Sequence, residues 1–208
     1  MLKLIKLALV VFLLSSNAFA GGDGELNLSK ETKPIKDCFE PLNRATFSLN
    51  QGLDKVIFKP IAKGYRKLPD PVQRGTKNAV TNLSNLITIP NNVLQGDVRT
   101  ALINTGRLVI NTTLGLLGTI DVANKMGFPK YEKEDYGQTL GVWGAGPGCY
   151  FVLPVLGPTT IRDSVGSLVS IAGGDAWYNV TVVNDTQYFS EADYYASRLL
   201  DGIDFRAK

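Results

Sequence analysis

Residues 97–118 read DVRTALINTGRLVINTTLGLLG. Asp97 stands where a helix N-cap belongs, and Val98, Ala101, Leu102, Thr105, Leu108, Val109 and Thr112 recur behind it at helical spacing. Arg107 and Asn111 interrupt the apolar run, and Gly115 and Gly118 weaken it. The segment is therefore an amphipathic helix, too short in its apolar part to span a bilayer, which needs about 20 residues.

The same pattern extends in both directions. Upstream, Val72, Thr76, Ala79, Val80, Leu83, Leu86 and Ile87 predict a helix that stops before Pro90-Asn91-Asn92. The Pro69-Asp70-Pro71 turn separates it from a short helix carrying Ile61, Tyr65 and Leu68. Before that, Pro41 opens a helix striped with Leu42, Ala45, Leu49, Leu53 and Val56, which Pro60 interrupts. Downstream, Asp121 can cap a further short helix. Glycines at 137, 141, 144, 146 and 148 then mark unusual backbone or close backbone approach. The apolar stretch Cys149–Pro158 holds two prolines, which exclude a regular central strand or helix. Thr159 or Thr160 can cap a helix with Ile161, Val165, Leu168 and Ala172 on one face, and residues 177–183 suit a loop-embedded or interfacial helix. Ser190-Glu-Ala-Asp193 resembles a capping box ahead of Ala192, Tyr195, Leu199 and Ile203. The class is mainly α, many short helices with proline and glycine corners.

The chain of 208 residues begins with Lys3 and Lys6, an apolar run from Leu7 to Leu14, and Ala18-Phe19-Ala20 before Gly21. This is a secretory signal over 1–20 with an A-x-A cleavage site. Residues 21–37 are polar and aperiodic, a flexible leader, and order is expected from near Phe39. Cleavage removes two lysines and no acid, so 22 Lys+Arg against 19 Asp+Glu becomes almost neutral, which argues against nucleic acid as a partner. The chain contains no histidine and two cysteines. That excludes His-based triads, His-ligated zinc and four-cysteine zinc sites. No cofactor is expected, no metal site either, and an enzyme is the weaker reading. In an oxidising compartment Cys38 and Cys149 either pair or serve as small buried hydrophobes.

Glu132, Glu134 and Asp135, beside Lys130 and Lys133, read as a solvated mixed-charge face. Arg162-Asp163 lies beside an apolar Pro-Gly stretch. The two residues either pair structurally or line a polar passage. The amphipathic helices either face one another in a core or lie along a lipid surface, and periodicity does not separate the two.

Several strings carry a resemblance. They are Phe39-Glu-Pro-Leu-Asn43-Arg44, Lys59-Pro60-Ile-Ala-Lys-Gly-Tyr65, Asn82-Leu-Ser-Asn85, Leu94-Gln95-Gly96-Asp97, Gly106-Arg107, Asn111-Thr-Thr-Leu-Gly115 and Ile120-Asp-Val-Ala123. Longest is Gln138-Thr-Leu-Gly-Val-Trp143-Gly-Ala-Gly-Pro-Gly148, running into Leu153-Pro154-Val-Leu-Gly-Pro158-Thr-Thr-Ile-Arg162-Asp163. In this order they resemble the MlaA/VacJ family of outer-membrane phospholipid-trafficking proteins, over about residues 37–206.

The resemblance implies a ring-like bundle of amphipathic helices, with Gly/Pro-rich corners, that encloses a polar channel in the periplasmic leaflet of the outer membrane. It implies non-enzymatic phospholipid transport: misplaced phospholipid leaves the outer leaflet and passes to a periplasmic lipid-carrier protein, which preserves lipid asymmetry. A porin trimer is the expected membrane partner. Asn43, Arg44 and Asn50 on the first helix, with Leu153, Pro154, Arg162 and Asp163, are the candidate lipid-path residues. The competing reading is a soluble periplasmic lipid-binding or scaffolding module. Two departures matter. The cleavage site reads Ala-Phe-Ala-Gly without the lipobox cysteine, and Cys38 is too far downstream to serve, so no acyl anchor is expected. The family continues beyond Gly202–Ala207, so the single helical domain over 38–208 is expected to lack the family's C-terminal end. Where Cys149 stands, the family pattern has Pro.

Overall fold

The structure, a computed structural model, describes residues 35–183 and 190–207. The signal read over 1–20 and the leader up to residue 34 lie outside the described residues. Pairing begins before Phe39: the Tyr150 N–H donates to the Lys36 carbonyl at 2.9 Å, and Asp37 bridges to Tyr150. Cys38 and Cys149 form a disulfide with their Cα atoms 5.6 Å apart.

Helix α1 (Glu40–Leu53) passes through a π-helical turn (Asp54–Phe58) into α2 (Lys59–Tyr65). Pro60 does not interrupt the helical course, contrary to the sequence reading. Its ring would crowd the carbonyl four residues back, and the wider turn before it, closed by the Lys59 N–H on the Asp54 carbonyl, makes room. Pro60 then sits in the first turn of α2, where a missing N–H goes unneeded.

Helix α3 (Asp70–Leu94) contains Pro90 and runs on past it, which overturns the expected stop. Tertiary bonds hold its last turn. Thr139 Oγ1 donates to Asn91 Oδ1 at 2.6 Å, and Asn104 Nδ2 donates to Asn92 Oδ1 at 2.9 Å. Helix α4 (Val98–Thr113) starts at Asp97, whose carboxylate accepts the Thr100 N–H at 3.0 Å. Asp121 caps α5 (Val122–Lys125), as the sequence indicates. Asp135 caps α6 (Tyr136–Val142), so the glycine-rich segment is helical at its start.

Strands β1 (Tyr150–Leu153) and β2 (Gly157–Thr160) form an antiparallel hairpin in which Val152 faces Pro158. Both strands are edges, so the proline removes no ladder bond that a central strand would need. Thr160 caps α7 (Ile161–Val169), followed by a π turn (Ser170–Gly174), α8 (Ala176–Tyr178) and a second π turn (Asn179–Val183). Helix α9 (Glu191–Ala207) begins with the capping-box return, Asp193 accepting the Ser190 N–H at 2.7 Å.

The packing closes a circuit. Helix α1 meets β1, β2 meets α7, α7 packs on α6, α6 on α3, and α3 on α9, which returns to α2. Tyr65 Oη donates to Asp204 Oδ1 at 3.3 Å, and Arg206 pairs with Asp54, which ties α9 to α2 and the π turn before it. The capped helix starts and this closure make a mainly α, ring-like bundle. No helix among the described residues is long and apolar enough to cross a membrane.

The helical periods are as read, but on α1, α4 and α7 the faces are reversed, whereas on α3 Val80 and Ile87 of the predicted stripe are buried. On α4 the buried residues are Ala101, Asn104, Arg107 and Asn111, while Leu102 is 68% and Val109 56% exposed. On α1 Asn43 and Thr46 are buried, and Leu42, Phe47 and Leu49 face outward. Ile161, Val165 and Leu168 of α7 and Leu199 of α9 are exposed too, whereas Tyr194, Arg198 and Asp204 of α9 are buried. Of the two alternatives left open by periodicity, the outward stripes of α1, α4 and α7 do not meet one another in a core.

Candidate functional site

The polar interior is built from helix faces rather than loops. Asn82, Ser84, Asn85, Thr88, Asn91 and Asn92 of α3 are buried, opposite Asn104, Arg107 and Asn111 of α4. An amide buried without a partner is costly. Asn82 bonds Thr112 and Asn92 bonds Asn104 across the seam, while Ser84, Asn85 and Asn91 donate to carbonyls of their own helix. Arg107 donates through Nη2 to Asp121 Oδ2 at 2.8 Å and through Nη1 to the Pro129 carbonyl at 2.8 Å. Asn111 donates to Asp121 Oδ1 at 3.0 Å and accepts the Ala123 N–H at 2.9 Å. Asp121 thus caps α5 and neutralises a buried guanidinium at once.

Residues 130–135 correct a second reading. Lys130 and Glu132 are exposed as read, but Lys133, Glu134 and Asp135 are half-buried. Lys133 lies 3.8 Å from Asp201 of α9, and Gln95 donates to Glu134 at 2.9 Å. The hydroxyls of Thr88 and Tyr131 lie 2.7 Å apart. Burial lowers the Lys133 pKa and raises those of Glu134, Asp135 and Tyr131. Further round the ring, Arg198 pairs with the buried Asp175 and lies over the Tyr194 ring.

The candidate lipid-path residues fall into two groups. Asn43 Nδ2 donates to Asp37 Oδ1 at 2.6 Å and to the Tyr150 carbonyl at 3.3 Å, and its Oδ1 accepts the Val152 N–H at 2.8 Å. Asn50 Nδ2 donates to the Leu153 carbonyl at 2.9 Å, and its Oδ1 accepts the Val155 N–H at 2.6 Å. Two turns of α1 therefore clamp the hairpin, with Leu153 and the exposed Pro154 at its tip. Arg44 stands apart, exposed and paired with Glu40 at 2.6 Å. Arg162 Nε donates to Asp163 Oδ1 at 2.9 Å, and Thr160 Oγ1 donates to Asp163 Oδ2 at 2.7 Å. The Arg162 guanidinium lies against Gly141, where a Cβ would come within 3.0 Å of Nη1. The structure thus joins Asn43, Asn50 and the hairpin, and separately joins Arg162, Asp163 and α6.

The apolar stripes alone do not lead to the seam amides of α3 and α4. A signal for them is present in the sequence nonetheless: Asn82, Asn85 and Asn92 recur at helical spacing, as do Asn104, Arg107 and Asn111.

Outside, the ring is apolar. Val56 is 75% exposed, and the α4–α5 turn carries Leu116 and Leu117 at 69% and 73%. Both leucines adopt left-handed backbone, φ 50° and 56°, a conformation that costs a non-glycine residue about 1 kcal/mol or more. Patches of apolar surface well above a few hundred Å² mark an interaction site. A polar inside and an apolar outside suit a body in contact with lipid. Among the described residues no group of three His, Cys, Asp or Glu could hold a metal ion.

A family profile described as MlaA lipoprotein matches residues 35–208. The chain is 37% identical to an uncharacterised protein of Rickettsia felis over 137 residues, 65% of this chain and 54% of that protein. It is 35% identical over 184 residues to the Intermembrane phospholipid transport system lipoprotein MlaA of Shigella flexneri, 86% of this chain and 68% of that one. The Escherichia coli protein of the same name is 35% identical over 172 residues, covering 80% and 65%. A solved structure described as "Structural basis for maintenance of bacterial outer membrane lipid asymmetry" superposes with a TM-score of 0.68 at 31% identity, covering 83% of each chain. The chain spans about half the length of the rickettsial relatives it matches.

Proposed function

The chain belongs to the MlaA lipoprotein family, and from that premise we propose that it transports phospholipid between membranes without catalysing a reaction. It resides in the periplasmic leaflet of the outer membrane, takes misplaced phospholipid from the outer leaflet and passes it to a periplasmic carrier, which preserves lipid asymmetry. A porin trimer holds it there.

The observation that carries this reading is the reversal of faces. A soluble lipid-binding module would turn Leu102, Val109, Leu116 and Leu117 inward, and here they face out while Asn85, Asn91 and Arg107 are buried. Such a surface is at rest in hydrocarbon and costly in water, at about 25 cal/mol per Å² of apolar area. The helices lie along one leaflet rather than across two, in keeping with the finding that none among the described residues is both long and apolar enough to cross. We place the lipid path beside the hairpin tip, Leu153 and Pro154, and the Arg162–Asp163 pair. Asn43 and Asn50 set the hairpin's position, and Arg44 stands at the rim.

Two measurements test this. Cells lacking the protein accumulate phospholipid in the outer leaflet, and the unmodified chain restores asymmetry. The protein stays with the outer membrane through a carbonate wash. Release into the soluble fraction with asymmetry unaffected by its loss would overturn the proposal.

A further inference from the structure

Between α3 and α4 lies a cavity of about 10 Å³ lined by Asn82, Asn85, Arg107, Asn111 and Asp121. Three of its side chains are almost wholly buried: Asn82 at 4%, Asn85 at 2% and Arg107 at 3% exposure. Each bonds the protein through other atoms and keeps one polar atom without a partner. Asn82 Nδ2 donates to Thr112 Oγ1 at 2.9 Å, leaving Oδ1. Asn85 Nδ2 donates to the Thr81 carbonyl at 3.4 Å, leaving Oδ1. Arg107 uses Nη1 and Nη2 on Pro129 and Asp121, leaving Nε–H. The unanswered groups are thus two acceptors and one donor on residues that share one cavity.

We propose that this cavity is a binding site for a single water molecule, held by Asn82 Oδ1, Asn85 Oδ1 and Arg107 Nε–H. Water supplies two hydrogens and a lone pair, which match the three atoms one for one. Three bonds is the usual complement of a buried water, and the volume admits about one. The same inventory refuses other occupants. An anion would meet two carbonyl oxygens and find one N–H. A metal cation would sit beside a guanidinium with too few oxygens around it. The water completes the seam between α3 and α4, whose contact is polar where a soluble bundle would interdigitate leucines. It belongs to the scaffold of the polar interior and not to the phosphate of a passing lipid. The site therefore stands whether or not the transport reading does.

A high-resolution crystal structure of the full mature chain in detergent tests the site directly. One density peak within about 2.7–3.2 Å of the three atoms is expected. An empty cavity, or a larger anion in it, overturns the proposal. In solution, the Arg107 Nε–H resonance of the arginine-labelled protein shows cross-relaxation with a long-lived water. The signal disappears in Asn85→Leu, where the leucine takes the water's place. Should that variant not fold, the signal in the unmodified protein decides alone, and its absence counts against the site. Inorganic phosphate leaves the Nε–H shift unchanged; a saturable shift would mean that the cavity takes an anion.

Discussion

Gly166 of α7 and Gly137 of α6 approach so closely that a Cβ on Gly166 would lie 2.3 Å from the Gly137 backbone nitrogen. The contact is backbone on backbone, so no side-chain rotation can relieve it. Gly166→Ala should force the two helices apart and cost about 3 kcal/mol, the upper range for overpacking. Gly52→Ala is the control. Nothing lies within 4 Å of a Cβ there, and the residue sits inside α1, so the change should stabilise by about 0.5–1 kcal/mol. Thermal unfolding in detergent, followed by circular dichroism, reads both.

Asn50 holds Val155 in a conformation that valine otherwise avoids. Val155 has φ 68°, and its N–H donates to Asn50 Oδ1. A β-branched residue in the left-handed region stores about 1–3 kcal/mol. Asn50→Ala should let the hairpin tip relax, which hydrogen exchange at Val152 and Val155 would detect. Val155→Gly should remove the strain and restore protection in the double variant. If exchange is unaltered in Asn50→Ala, the clamp does not govern the tip.

The local grammar of this fold was legible because it is chemical. Asp97, Asp121, Thr160 and Ser190 act as helix starts at the positions where their side chains suit it. Pro60 and Pro90 misled, since a proline's cost to a helix depends on surroundings that the sequence does not display: a wide turn in one case, buried amides beyond it in the other. The facing of the stripes was beyond reach for a different reason. A hydrophobic period fixes which residues share a side, but the solvent decides whether that side is in or out. Of the candidate path residues, Asn43 and Asn50 stand out in sequence as polar positions on an apolar helix. Their bonds to strand carbonyls over a hundred residues away required the fold.

Asp135 gives the chain a pH dependence with a definite sign. Burial raises its pKa in the folded protein, against the help of the Gln138 N–H. Its contribution to stability is full below the ordinary carboxylate pKa and is lost as pH rises through the raised folded value. Asp135→Asn keeps a capping oxygen for α6 and removes the charge. The native protein should therefore gain stability relative to this variant as pH falls from 7 to about 4. Denaturant midpoints across that range check it, and an opposite trend would show that the charge is favoured in place.

Arg107 depends on Asp121. The guanidinium is 4% exposed at the side chain and the carboxylate 29%, with 2.8 Å between them. Asp121→Asn preserves the cap on α5 yet leaves a buried cation without its counter-charge. Breaking a buried pair from one side costs about 3–5 kcal/mol, and the partial exposure of Asp121 places this one toward the lower figure. The double variant Asp121→Asn/Arg107→Met should recover part of the loss. Urea unfolding of the three variants gives the coupling energy, and strict additivity would mean that the pair contributes nothing.

The Cys38–Cys149 disulfide closes a loop of 111 residues and binds the entry of α1 to the start of the hairpin. Closing a loop of that length in the unfolded chain is worth about 5 kcal/mol at most. The bond does not act alone, because Asn43 joins Asp37, Tyr150 and Val152 in the same corner. Those hydrogen bonds should keep the hairpin in place after reduction, so the native fold survives while its margin shrinks. Both cysteines are half-buried, within reach of a small reductant. Dithiothreitol should therefore lower the unfolding midpoint without changing the helical signal at room temperature, and Cys38→Ser/Cys149→Ser should match the reduced protein and be indifferent to the reagent. Combining the double serine variant with Asn43→Ala removes both ties. The hairpin should then detach, seen as loss of exchange protection at Tyr150 and Val152 together, while α3 and α4 remain protected. Equal protection in all variants would show that the strand pairing holds the corner unaided.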